Sequence, residues 1–311
     1  MKISKDKNLA HLTNFKIGGK AKFFVEVFNL SDIETLIKDN FLVKAKKFFI
    51  FGDGTNILIN NFDGLIIKSN INFIKHSQQD ILEVGSGVKV SALLSYAIEK
   101  NLAGLEWAGG LPGSVGGAIE GGVGCFGQEF KNLVIEVTAV DLNKGSIERF
   151  SQKDCQFAYR DSFFRRNRQW FIISSSLRFH INHNKEELIA QAKEKIFYRQ
   201  NKHPLDFPNA GSIFKNYPFT KAPKFLQDFV LEKNKLKNDP FPVIPIAFLI
   251  AEAGLKGKQI GGAQISEKHC NFIINRCHAT FDDVMQLIDF TKRTIEDKFS
   301  ISPELEIQIV R

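Results

Sequence analysis

Apolar positions in the first half of the chain come in short runs spaced for strands. Phe48-Phe-Ile50, Gly64 to Lys68 and Ile81 to Gly85 are too short for helices and are bounded by turn residues. Leu133 to Leu142 and Ser146 to Phe150 flank Asn143-Lys-Gly145 and predict a hairpin, and Trp170 to Phe179 predicts a further strand. Helical spacing occurs at Ile33, Leu36 and Ile37, where Ser31-Asp-Ile-Glu34 predicts a capping box. It recurs at Leu93, Leu94, Ala97 and Ile98 within Val90 to Asn101. A long polar helix over Lys185 to Gln200 predicts the bridge into a second lobe. That lobe is expected to hold a helix at Ala247 to Ala253, a strand at Phe272 to Asn275 and a helix from Phe281 to about Lys298, capped by Thr280 with Asp283 three residues on. Glu304 to Arg311 alternates as a strand.

The fifteen residues Gly104 to Ala118 hold six glycines, a density that no core requires. Glycine loses the most conformational freedom on folding, so such density belongs where backbone turns with positive φ or closely approaches a ligand. A second turn, Phe51-Gly-Asp-Gly-Thr-Asn56, precedes Ile57-Leu-Ile59 and reads as strand, tight turn, strand. Amides exposed in such turns form concave anion nests without any Lys or Arg, and two nests suggest one long diphosphate ligand. A single glycine turn is more often only a turn. Neither stretch has the G-x-G-x-x-G spacing followed by a helix, and no G-x-x-x-x-G-K-[ST] occurs, which disfavours a Rossmann site and a P-loop.

With 311 residues the chain can form two domains with real cores. Its net charge of +8 suits either nucleic acid or an electrostatic funnel for a small anion. Only Lys44, Lys46, Lys47 and Arg165, Arg166, Arg168 cluster, so the charge reads as a solvated surface rather than a nucleic-acid track. Cys125, Cys155, Cys270 and Cys277 contain no C-x-x-C pair, which argues against a metal site and a disulfide framework; free thiols suit a reducing cytoplasm. Met1 to Asn8 has no apolar signal core. The most apolar later stretch, Phe241 to Ile250, is short and broken by Pro242 and Pro245, so no membrane span is expected.

Four segments carry polar residues that neither a turn nor a core requires: Tyr159-Arg-Asp-Ser162, Asn209-Ala-Gly-Ser-Ile-Phe-Lys-Asn216, Ser266-Glu-Lys-His-Cys-Asn271 and Glu304-Leu-Glu306. With Thr13-Asn-Phe-Lys-Ile-Gly-Gly19 and both glycine turns, their order over nearly the whole chain resembles the UDP-N-acetylenolpyruvoylglucosamine reductases. Gly254-Leu-Lys-Gly257 followed by Gly261 to His269 resembles the shorter, type II branch. The resemblance implies an α+β protein: an FAD-binding fold of the vanillyl-alcohol-oxidase type with two α+β subdomains, plus a C-terminal α+β substrate-binding lobe. It places the FAD-binding domain at 1–182, with subdomains of about 1–68 and 69–182 and the terminal strand 300–311 returning to it, and the substrate-binding domain at 183–299. The implied activity is cytoplasmic: NADPH, through FAD, reduces the enolpyruvyl group of UDP-N-acetylglucosamine enolpyruvate for peptidoglycan synthesis. A monomer acting on this small molecule is expected, with no nucleic-acid or membrane partner.

The same resemblance assigns residues. Gly52, Asp53, Gly54, Thr55 and Asn56, with Gly109, Gly110, Pro112, Gly113, Ser114, Gly116 and Gly117, would cradle the FAD pyrophosphate. Neither stretch holds a Cys or His, so a noncovalent flavin is expected. Arg160 matches the arginine that holds the substrate carboxylate and stabilises the enolate. Ser212 matches the proton donor to C2, and Glu306 the terminal carboxyl hydrogen-bonded beside that enolate. Tyr159, Lys215, Asn216 and His269 match substrate contacts. Read without the resemblance, Arg160 could pair with Asp161, Ser212 could be a turn residue, Glu306 could face solvent and His269 could sit in a polar interior. The chain departs from the family pattern at Lys16, Asp53, Thr55, Gly121-Gly-Val-Gly124, His203, Tyr217 and Pro303. An oxidase of the same fold would leave Ser212, Lys215 and Asn216 unexplained, and a non-catalytic nucleotide-sugar binder would carry no stoichiometric flavin.

Overall fold

Leu65, Ile66 and Ile67 have no exposed surface; they lie on the strand Phe62–Ser69, which has a neighbour on each edge and packs Leu65 and Ile67 into a core with Ile33 and Leu36. Lys20–Val27 and Phe48–Phe51 pair with it in parallel, and Ile3–Asn8 adds antiparallel to Lys20–Val27. A continuous apolar run is what such a strand requires. The helix Leu30–Lys38 sends Ile33 and Leu36 into the core beneath. Its N-cap is Asn29, whose side chain accepts from the Asp32 amide at 3.0 Å, while the Asp32 carboxylate accepts from the Phe28 amide at 2.8 Å. The expected Ser31–Glu34 box is not the cap, because Ser31 already lies within the helix.

A second sheet is antiparallel throughout, in the order Ile147–Ser151, Val134–Asp141, Trp170–Arg178, Ile81–Gly85, Ile74–His76. Its hairpin turns as expected: the Asp141 carboxylate accepts from the Asn143 amide at 2.8 Å, and Gly145 has φ of +76°. Val140 and Phe171 from this sheet share a core with Val25, Ile33 and Leu65 of the first. Leu82, Leu93, Val137 and Trp170 belong to a separate core.

The structure is a computed structural model describing residues 1–311. Both sheets lie in one compact unit, made of Met1–Asn8, Lys20–Asp53 and Phe62–Tyr198; the other is made of Leu9–Gly19, Gly54–Asn61 and Arg199–Arg311. The helix Lys185–Lys202 is continuous across the division. No helix is long and apolar enough to cross a membrane.

The second unit contains an antiparallel sheet in the order Asn209–Ser212, Phe272–Asn275, Ala263–Ile265, Gln259–Ile260. The helix Phe281–Phe299 buries Val284, Leu287, Ile288 and Ile295 in the same core as Ile265 and Ile273. The strand expected over Glu304 to Arg311 is shorter. Only Gln308–Val310 forms a ladder, in parallel with Ile57–Ile59 of the same unit. Upstream, Leu305 makes a single bridge to Phe214, and the Glu306 amide donates to the Ile213 carbonyl at 2.8 Å. The segment changes partners between Glu306 and Gln308, so no single ladder spans it.

The capping box of Phe281–Phe299 forms as its sequence implies. Thr280 Oγ1 accepts from the Asp283 amide at 3.1 Å, and the Asp283 carboxylate accepts from the amides of Thr280 at 2.9 Å and Gly262 at 3.2 Å. The Thr280 amide, with smaller help from Gly262 and the Thr280 hydroxyl, holds the Asp283 carboxyl below its ordinary value of 3.8. This stabilisation is complete above that ordinary value and is lost as pH falls through the lower, folded one. Thr280→Ala should lower stability by about 1 kcal/mol, read as a shifted urea midpoint with unchanged slope.

Candidate active site

The Gly52–Asn56 turn follows Phe48–Phe51 and leads into Ile57–Ile59, but these two strands join different sheets, so it is not a hairpin. Gly54 has φ of +67°, which only glycine adopts without strain. The second stretch contains Gly110 and Gly113 at φ of +73° and +116°. It opens a short helix, Val115–Glu120, whose N-cap Ser114 accepts from the Gly117 amide at 3.3 Å. Sequence spacing had implied no helix there, since Gly116 and Gly117 are poor helix formers and hide it.

The glycines of the two turns divide by cause. A Cβ on Gly109 would strike the Ala192 carbonyl, and one on Gly116 would come within 2.8 Å of Ser86 Cβ. Both are therefore required by packing within the protein. Gly52 differs: its Cβ would point at Ser114 Oγ at 3.2 Å and at Gly117 Cα at 3.9 Å, so the two turns face each other across a gap that a side chain would fill. Gly117 is exposed and Gly52 half-buried. Facing glycine backbones, one of them at a capped helix start, fit an anionic diphosphate group.

Arg160 sits in a tight turn, Ala158 to Asp161, closed by Ala158 N–H to Asp161 O at 3.0 Å and Asp161 N–H to Ala158 O at 3.1 Å. Its φ is +56°, unusual for a non-glycine residue and of the kind found where position matters more than local energy. Its guanidinium lies over the Tyr159 ring, 5.1 Å from the centroid. The Asp161 carboxylate pairs with Arg166, which also donates to Gln156. Gly122 explains part of the Gly121 to Gly124 departure. A Cβ there would come within 2.7 Å of the Asp161 carbonyl, so glycine lets the Arg160 turn approach. Ser162 fixes the turn further by donating to the Glu120 carbonyl at 2.7 Å.

Ser212 ends the strand Asn209–Ser212, beside Phe272–Asn275. Asn209 pairs with Ile274 and Ser212 with Phe272, three steps against two, so one extra residue bulges at Ala210–Gly211. Gly211 has φ of +77°, and its amide donates to Asn209 Oδ1 at 3.0 Å. The next residues are clamped. The Asn271 side chain, 4% exposed, accepts from the Phe214 amide at 2.9 Å and donates to the Phe214 carbonyl at 2.8 Å. On the other side lie Glu304 and Glu306, whose backbones bond to Lys215 at 2.9 Å and Ile213 at 2.8 Å. Ser212 and Glu306 are thereby brought to neighbouring backbone positions, both half-buried. The Glu304 side chain is 77% exposed and reaches Lys215 Nζ at 3.4 Å, a pair worth little in solvent. Asn216 Oδ1 accepts from the Ile246 amide at 3.2 Å at the start of Ile246–Glu252, so any ligand contact falls to its Nδ2.

His269 sits edge-on to Phe272, with ring centroids 4.8 Å apart, and 5.6 Å from His203; its buried Nδ1 has no hydrogen-bond partner. Burial pushes both imidazoles down to about 4, and the neighbouring His269 and Arg199 add to the effect at His203. At neutral pH His269 offers a lone pair or an N–H but no charge. Lys268 and Arg276 line a hollow of about 250 Å³ with Pro204, Phe207, Gln264 and Ser266. The sequence marks Asn271 as the end of the polar segment Ser266 to Asn271, but its clamp on the Phe214 backbone, a role within the core, was not visible there.

Residues 23–151 match the family model described as FAD binding domain, and residues 203–310 match UDP-N-acetylenolpyruvoylglucosamine reductase, C-terminal domain. The UDP-N-acetylenolpyruvoylglucosamine reductase of Thermotoga maritima is 37% identical over 96% of this chain and 95% of its own. That of Carboxydothermus hydrogenoformans is 34% identical over 99% and 94%. Among solved structures, the UDP-N-acetylenolpyruvylglucosamine reductase of Thermus caldophilus superimposes with a TM-score of 0.76 and 23% identity over the whole of both chains, a likeness of fold.

The histidine pair sets a pH window. An imidazole at 6.5 in the unfolded chain and about 4 in the folded one leaves the unfolded state binding more protons between those values. Stability contributed by the pair is complete above pH 6.5 and falls as pH drops toward about 4. Urea midpoints taken across this range should decline, and the decline should be shallower in His203→Gln.

Proposed function

This chain belongs to the UDP-N-acetylenolpyruvoylglucosamine reductase family, and from that premise we infer that Arg160, Ser212 and Glu306 are the side chains with which it acts on its substrate. It is an FAD-dependent oxidoreductase that uses NADPH to reduce the enolpyruvyl group of UDP-N-acetylglucosamine enolpyruvate to UDP-N-acetylmuramate, in peptidoglycan synthesis. When bound, FAD would supply the hydride-transfer chemistry between NADPH and the enolpyruvyl C3. The Gly52–Asn56 and Gly109–Gly117 backbones hold its pyrophosphate, Gly52 and Gly117 by close approach. No thiol or imidazole lies in either turn, and the flavin is held without a covalent bond.

Hydride arrival at C3 places negative charge on C2 and its carboxylate. Arg160 meets that charge with a planar, permanently cationic fork, and its strained turn sets the direction of the fork before substrate arrives. Ser212 delivers the proton to C2. A hydroxyl is a weak acid in water, but at fixed distance from a strongly basic carbon it suffices. Glu306 lies beside the same carboxylate as a hydrogen-bonding group. Tyr159, Lys215, Asn216 and His269 bind the nucleotide sugar, His269 as a neutral ring. The observation that carries this reading is the hydrogen bond from the Glu306 amide to Ile213, which sets the carboxyl-bearing residue next to the hydroxyl-bearing one. Both small-molecule substrates belong to the cytoplasm, where we place the enzyme, acting as a monomer.

Stopped-flow measurement of the two half-reactions tests the assignment. In Ser212→Ala, flavin reduction by NADPH should persist while reoxidation by substrate falls about 10² to 10⁴-fold. Glu306→Gln should share that selective loss, whereas Glu304→Gln should leave both half-reactions near wild type. An equal loss in both half-reactions would assign Ser212 a structural part only. Acid precipitation should leave all flavin in the supernatant; a yellow pellet would contradict the noncovalent reading.

A further inference from the structure

We propose that Asn56 is a positioning residue for the protonation step, its carboxamide holding the bulge that aims Ser212. A bulge leaves one carbonyl without its ladder partner. Here the extra residue lies at Ala210–Gly211, and Asn56 Nδ2 donates to the Ala210 carbonyl at 2.8 Å and to the Ser212 carbonyl at 3.3 Å. The amide has two hydrogens, and the two carbonyls account for both. Its nitrogen lies 3.7 Å from the position of a Cβ on Gly211, at the turning point of the bulge. The Asn56 backbone carbonyl accepts from the Gln308 amide at 3.1 Å, two residues beyond Glu306. One residue of the glycine turn thus ties together the strand bearing Ser212 and the segment bearing Glu306, all within the second unit.

This inference rests on Ser212 as the proton donor, and it assigns the Asn56 side chain to that step rather than to the flavin. The consequence is stereochemical. Addition of hydride at C3 and a proton at C2 makes C2 a stereocentre, and its configuration is fixed only if the proton always arrives from one side. A misplacement of about 1 Å can lower a rate about 10²-fold. It also lets solvent compete as the proton donor.

The test uses the flavin-loaded full chain with Asn56→Asp, which replaces both donors with oxygen facing two carbonyls. Reoxidation by substrate should fall about 10²-fold more than reduction by NADPH, and the product should contain both C2 configurations. The ratio of flavin to protein absorbance should match wild type. Asn56→Ser, which removes the carboxamide without adding charge, gives the same readout if the aspartate variant does not fold. Asn275→Ala serves as a control in the same unit: that carboxamide bonds to Phe15 and Ala279, away from the bulge, and its loss should lower stability while keeping a single configuration. A single C2 configuration, an equal loss in both half-reactions, or loss of flavin with unchanged rates per bound flavin overturns the proposal. If Ser212→Ala itself keeps normal reoxidation and a single configuration, the assignment of Ser212 fails instead.

Discussion

The backbone of Ile213 and Phe214 is buried and needs partners on both edges, and the way it finds them organises this part of the second unit. On one edge the Asn271 carboxamide closes a two-bond clamp on Phe214, and the Asn271 carbonyl takes the Ile213 amide at 2.8 Å. On the other edge the Glu304 to Glu306 segment supplies the remaining bonds. A buried amide or carbonyl without a partner costs about 1 to 3 kcal/mol, so each edge is held firmly. Ser212, Lys215 and Glu306 take their places because this short segment can satisfy its backbone in no looser arrangement.

Glycine in this chain serves two different ends. At Gly109, Gly116 and Gly122 it allows one part of the protein to touch another, and any side chain would collide with backbone or a neighbouring residue. At Gly52 and Gly117 it keeps a gap open between two turns. A count of glycines cannot separate these uses. Their surroundings can, and they divide the second stretch into residues that pack and residues that face outward.

Much of the architecture was legible in the amino-acid pattern. The alternating hairpin, the buried run at Leu65 to Ile67 and the Thr280 capping box follow from local rules, and the structure has each where those rules place it. Arg160, Ser212 and Glu306 stand out in the sequence only as an ordered set, by resemblance, and their roles remain the proposal made above. Three features of the fold were not legible. The cap of Leu30–Lys38 is Asn29 because the chain enters that helix earlier than the Ser31 signal suggests. The helix Val115–Glu120 is glycine-rich and has no propensity signal. The terminal strand is interrupted because Glu306 and Gln308 bond to different partners, a tertiary matter that alternation along the chain does not encode.

The second unit is built from three stretches that are far apart in the chain, with the first unit's residues between them. Asn275 donates to the carbonyl of Phe15 across 260 residues, and Ile57–Ile59 finds its strand partner only at Gln308–Val310. Such pairings form slowly, since a long loop must close before any contact rewards it. During synthesis Leu9–Gly19 and Ile57–Ile59 leave the ribosome with apolar side chains, among them Phe15, Ile17 and Leu58, whose core does not yet exist. The other members of that core, from Ala210 to Ile307, are made much later, and apolar surface left waiting in this way is what makes unfinished chains prone to aggregate.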